Sequence, residues 1–76
     1  MTVYQYAAIE QKRGKSKTYG LEVTEKKKSE KHVVLIVPNV TDVKSTAKRL
    51  ARLFTKEQLH PIHVKDVLED MNEDKL

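Results

Sequence analysis

The 76 residues contain no cysteine and no tryptophan, two glycines, two prolines and a single phenylalanine. Without cysteine there is neither a disulfide nor a thiolate zinc site to reinforce a small core, and no thiol nucleophile. A chain of this length has room for one hydrophobic core near the lower limit of independent stability, so self-association is the reinforcement left. No apolar run approaches the ~20 residues of a membrane span, and residues 1–10 carry neither a basic leader nor a cleavage signal. Together with the missing thiols, this points to the cytoplasm. Catalytic signatures are scarce too. The serines are Ser16, Ser29 and Ser45, and neither a Gly-x-Ser-x-Gly elbow nor a glycine-rich phosphate loop occurs. No catalytic residue and no cofactor is expected, and the chain does not read as an enzyme.

Charge is abundant and unevenly placed. Residues 1–56 hold 13 Lys/Arg against 5 Asp/Glu, and residues 57–76 hold 2 against 6. A basic body suits an acidic partner such as nucleic acid, but the acidic tail of the same chain is also such a partner.

Hydropathy patterning divides the chain into three strands and two helices. Residues 2–10 place Tyr4 and Tyr6 on one face of a strand and Val3, Ala7 and Ile9 on the other. Gln11–Lys17, four cations around Gly14, reads as a hairpin turn. Thr18–Thr24 alternates cleanly, with Tyr19, Leu21 and Val23 inward, and Glu25–Lys31 reads as a charged loop. The β-branched run Val33–Val37, closed by Pro38, reads as a strand covered on both faces. Thr41-Asp42 supplies an N-cap signal for a helix with Val43, Ala47, Leu50, Ala51 and Phe54 on one face. A second helix opens at Pro61 with a stripe of Val64, Val67, Leu68 and Met71. The expected architecture is α+β, a three-stranded antiparallel sheet followed by two helices on one face, in a single domain over residues 1–76.

Two short helices cover one face of such a sheet. The other face, with Tyr4, Tyr6, Val34 and Ile36 as candidates, is expected to meet a second subunit in a homodimer. The most apolar strand ought also to be central, whereas a simple meander leaves it at an edge, so either the order is not a meander or that edge is covered.

The first helix carries Lys44, Lys48, Arg52 and Lys56 at four-residue spacing, flanked by Arg49, with no acid in the row. Like charges at this spacing cost an isolated helix about 0.2–0.5 kcal/mol per pair, so the row suggests a face for nucleic acid or another acidic partner. The bland alternative, favoured about two to one, is a solvated face or one complemented by Asp66, Glu69, Asp70, Glu73 and Asp74 of the second helix. His60, His63 and Asp66 have ligand chemistry, but three donors without a fourth read more simply as helix-start residues, and no metal is expected.

Thr18-Tyr19-Gly20-Leu21-Glu22-Val23 and the stretch Leu59-His60-Pro61-Ile62-His63-Val64-Lys65-Asp66-Val67-Leu68-Glu69-Asp70 resemble a small uncharacterised family of Gram-positive bacteria. Its pattern is a Tyr-Gly-Ile/Leu strand followed by two helices, the second opening with Pro-Ile-His. The resemblance implies a cytosolic bacterial protein and carries over no catalytic residue, ligand or partner. The reading that remains is a non-catalytic protein-interaction or regulatory module, with nucleic-acid binding as the alternative.

Overall fold

The computed structural model describes residues 2–73. Three strands of equal length, β1 (Thr2–Arg13), β2 (Ser16–Lys27) and β3 (Glu30–Thr41), form an antiparallel meander in the order β1-β2-β3. Helix α1 (Lys44–Lys56) follows, then a 3₁₀ turn (Pro61–His63) that runs into α2 (Val64–Glu73). The expected β-β-β-α-α order is present, with both helices against one face of the sheet.

Each strand is longer than its apolar alternation. The segments expected to be loops are the ends of two tight hairpins: Arg13 pairs with Ser16 around Gly14-Lys15, and Lys27 pairs with Glu30 around Lys28-Ser29. Gly14 supplies the positive φ (56°) that a two-residue hairpin needs at its first central position. Lys28 does the same at φ 52°, at the steric cost a side chain pays in the left-handed region. Periodicity missed these ends because polar side chains there reach water on either face of the ladder.

On the helix-facing side, Tyr6, Val23 and Leu35 form one cross-strand row, and Ala8, Leu21 and Val37 the next. Helix α1 lays Ala47, Leu50, Ala51 and Phe54 over these rows, and Val64 adds the foot of α2. The Tyr6 ring meets Phe54 edge-on at 5.5 Å, and its hydroxyl donates to the Leu59 carbonyl. Burial, with a smaller contribution from nearby Tyr4, pushes the Tyr6 phenol up to about 12.

The helix starts differ from expectation in one case and match it in the other. The N-cap of α1 is Val43, which has no capping side chain; Thr41 Oγ1 instead accepts from the Val43 N–H at 3.2 Å, holding the turn into the helix. His60 caps the 3₁₀ turn, its Nδ1 accepting from the Ile62 N–H at 3.2 Å.

The sheet is a meander, so the most apolar strand, β3, lies at an edge and β2 is central. Within one chain β3 is not covered on both faces as its composition suggested: Val33, Val34 and Ile36 are 55%, 43% and 52% exposed. The β2–β3 register slips twice, once beside Val34 and once beside Pro38-Asn39-Val40, which lie opposite the single residue Gly20. Asn39 adopts φ 55°, donates its N–H to Gln11 Oε1 at 3.0 Å and accepts from the Thr18 hydroxyl at 2.8 Å. Proline is tolerated here because β3 is an edge strand.

Three substitutions test this packing. A Cβ on Gly20 would lie 2.4 Å from the Val37 carbonyl oxygen, which is backbone and cannot swing aside, whereas a Cβ on Gly14 meets nothing within 4 Å. Gly20→Ala is expected to cost about 1–3 kcal/mol in urea unfolding through overpacking, and Gly14→Ala about 1–2 through its φ alone. Only Gly20→Ala should also weaken amide protection along β2–β3. Tyr6→Phe is expected to cost about 1 kcal/mol at neutral pH by removing the hydroxyl's bond to Leu59. Because the folded-state pKa of Tyr6 is raised, its contribution is complete below pH 10 and lost as pH rises towards about 12. The stability gap between wild type and Tyr6→Phe should therefore close over that range in alkaline unfolding curves.

Candidate interaction surfaces

A three-stranded meander has two edges, and each leaves a row of backbone N–H and C=O groups without a strand partner. In this chain the edges are treated differently. Along β1, the Tyr4 N–H donates to Gln58 Oε1 at 2.9 Å, and Gln58 Nε2 donates back to the Tyr4 carbonyl at 3.0 Å. The carboxamide thus presents to Tyr4 the acceptor and donor that a residue of a neighbouring strand would. One step along, the Tyr6 N–H donates to Thr55 Oγ1 at 2.9 Å, and that hydroxyl passes its own proton to the Ala51 carbonyl at 2.7 Å.

Helix termination places Gln58. The Leu59 N–H reaches back to the Phe54 carbonyl at 3.0 Å and the Gln58 N–H to Thr55 at 3.1 Å, the paired bonds of a Schellman ending. The residue at its left-handed position is usually glycine; here it is Gln58 at φ 51°. A side chain there costs about 1–2 kcal/mol of steric strain. Its amide recovers three hydrogen bonds, two to Tyr4 and one from Nε2 to the Thr55 carbonyl at 2.6 Å. Sequence reasoning passed over Gln58 and Thr55; the available signal was a glutamine where a glycine stop would be conventional.

Among the described residues no side chain caps the outer edge of β3. Its open face carries Val33, Val34 and Ile36, and the same side of β1 contributes Val3, Ala7 and Ile9. The candidate dimer face is therefore corrected in part. Val34 and Ile36 lie on the uncovered surface, but Tyr4 and Tyr6 do not: they point beneath the helices, Tyr6 only 5% exposed and Tyr4 against the His60 ring at 5.1 Å. Their face was ambiguous in sequence because β1 has apolar residues in both registers, and the large aromatic rings fill the deeper layer.

The basic row stands out from the sheet on the far side of α1. Lys44, Lys48, Arg49, Arg52 and Lys56 are all exposed. Ser45, Lys48, Arg49 and Arg52 surround a shallow depression of about 250 Å³. Among the described residues, ion pairs join Lys17 to Glu10 and Lys27 to Glu25, His32 Nε2 lies 3.5 Å from Glu30 Oε2, and none of these contacts reaches α1. Asp66, Glu69 and Asp70 of α2 do not pair with the row among the described residues; the side chain of Glu73, and Asp74, lie outside them. The rings of His60 and His63 stand 6.4 Å apart, and no group of three or more His, Cys, Asp or Glu side chains gathers among the described residues. No described helix is long and apolar enough to cross a membrane.

Comparison with known families locates the chain. The model of a family of unknown function, DUF6514, matches residues 1–74. The chain belongs to DUF6514. No curated protein and no solved structure matches this DUF6514 chain. Family membership thus brings no function with it, and the unequal sheet edges and the basic helix face carry the functional argument.

Gln58→Gly acts on both roles of that residue at once, since it relieves the left-handed backbone and removes the clamp. Monomer stability is expected to change by less than about 1 kcal/mol, the two effects opposing each other. The amide of Tyr4 should lose hydrogen-exchange protection while that of Tyr6, held by Thr55 Oγ1, keeps it, and the variant should form species larger than the wild type at raised concentration in analytical ultracentrifugation.

Proposed function

We propose that this DUF6514 chain is a non-catalytic protein-interaction module whose first partner is a second copy of itself, joined along β3 into a homodimer with a continuous six-stranded sheet. The observation that carries this reading is the contrast between the edges: β1 is capped at Tyr4 and Tyr6 by Gln58 and Thr55, while among the described residues no side chain caps β3, the most apolar strand. Antiparallel pairing of two β3 strands is isologous, so Val33, Val34 and Ile36 of each copy lie near those of the other. Cross-strand contact between these half-exposed side chains contributes roughly 0.2–1 kcal/mol per pair, in addition to the new backbone hydrogen bonds. With the β1 edge capped at Tyr4 and Tyr6, β3 is the edge that favours pairing, and the assembly expected is two chains. The resemblance of the Pro61–Asp70 stretch and the lack of cysteine support a bacterial, cytoplasmic setting within the same reading.

Light scattering on a size-exclusion column tests it. The expected molar mass is twice the 8.8 kDa of the chain, unchanged by salt because the contact is apolar and backbone-mediated. Ile36→Lys, which places a charge on the open face of β3, should give a monomer with an unchanged circular dichroism spectrum. A wild type that stays monomeric at hundreds of micromolar refutes the dimer.

A further inference from the structure

We propose that the outward face of α1 binds duplex nucleic acid through its phosphate backbone, without reading base sequence. This inference is independent of the association along β3, because the residues involved lie on the opposite side of α1 from the sheet.

The argument begins with what the helix omits. Its 13 residues contain five cations and no acid, and none of these cations enters an ion pair among the described residues. A surface helix that only needed solubility would be expected to mix charges, since Glu four residues before Lys stabilises it. Here Lys44, Lys48, Arg52 and Lys56 instead form one row, each step rising about 6 Å along the axis. Arg49 stands beside the row, and with Lys48, Arg52 and the Ser45 hydroxyl it borders the depression. The residues bordering it carry two guanidinium groups, an ammonium and a hydroxyl, donors of the kind that phosphate oxygens accept from, and the row continues the positive charge on both sides of it.

The aromatic residues decide which nucleic acid fits. Single strands are held by stacking bases on exposed rings. Tyr6 and Phe54 are sealed in the core, Tyr4 packs against His60 and Tyr19 sits half-buried in β2, so the outward face of α1 offers no such platform. A row of cations winding over about a third of the circumference of one helix, without stacking rings, suits the winding phosphates of a duplex, and affinity drawn from phosphates alone is insensitive to sequence and strongly sensitive to salt.

Fluorescence anisotropy of a labelled duplex of about 20 base pairs, titrated with the full chain, tests this. With about four phosphates engaged, affinity should fall about a hundredfold between roughly 50 and 200 mM salt. Lys48→Glu combined with Arg52→Glu should weaken binding at least about tenfold and make the log–log salt slope shallower by about two. Lys28→Glu with Lys31→Glu, an equal change in net charge at the β2–β3 hairpin, should weaken it less than about threefold. Both double variants alter exposed positions, and unchanged circular dichroism confirms the fold; Lys48→Gln with Arg52→Gln should rank with the glutamate pair. The proposal is overturned by absence of binding at the lower salt, by equal losses in the helix and hairpin variants, or by tighter binding of the single strand than of the duplex.

Discussion

Two short helices can cover one face of a three-stranded sheet and no more, and most of this architecture follows from that limit. The covered face receives the residues that pack deepest: Tyr6, Leu21, Val23 and Val37 from the sheet, Leu50, Ala51 and Phe54 from α1, and Val64 from α2. The uncovered face keeps Val33, Val34 and Ile36 in contact with water. A chain without cysteine has no crosslink with which to offset that exposure, so the balance falls on hydrogen bonding at the strand edges and on association.

The end of α1 links helix capping to edge protection. Thr55 and Gln58 are three residues apart, and the Schellman turn aims both side chains at alternate residues of β1, Tyr4 and Tyr6, whose backbone groups face the same way. A glycine at residue 58 would end the helix with less strain and leave the β1 edge open at Tyr4. The strain held at Gln58 is therefore intelligible as the cost of capping that part of the edge. Tyr6 strengthens the same junction from below, its hydroxyl bonded to the carbonyl of Leu59, the next residue after the clamp.

The order and type of the elements were legible because the apolar residues that define them face the core: Leu21 and Val23 in β2, Ala47, Leu50, Ala51 and Phe54 in α1, Val64 at the start of α2. The strand ends were not, since beyond the helix layer a ladder is held by backbone bonds that lysine and glutamate make as well as valine does. The exposure of the Val33–Ile36 run was missed because composition reports what a strand can bury and not whether a layer exists to bury it. The basic row was visible at its true spacing, since a helix converts sequence interval directly into geometry. Its relation to the acids of α2 was not, because charge balance along a chain says nothing about which side chains meet. The edge clamp was least legible, for it depends on one left-handed residue and on contacts spanning more than 45 positions.

The two proposed surfaces are geometrically compatible, and symmetry makes them reinforce each other. Antiparallel neighbours in a continuous sheet are related by a two-fold axis perpendicular to it, so a dimer through β3 sets both helix layers on the same side. Each α1 then turns its cations away from the sheet in the same general direction, while the apolar contact lies at the centre and titrates neither row. A duplex engaged by one row would find the second held nearby at high effective concentration, provided the spacing of the two helices matches accessible phosphates. Loss of the dimer would then weaken duplex binding without touching a basic residue, whereas loss of the basic row would leave the dimer intact. That asymmetry follows from placing the charge on the helix and the adhesion on the strand.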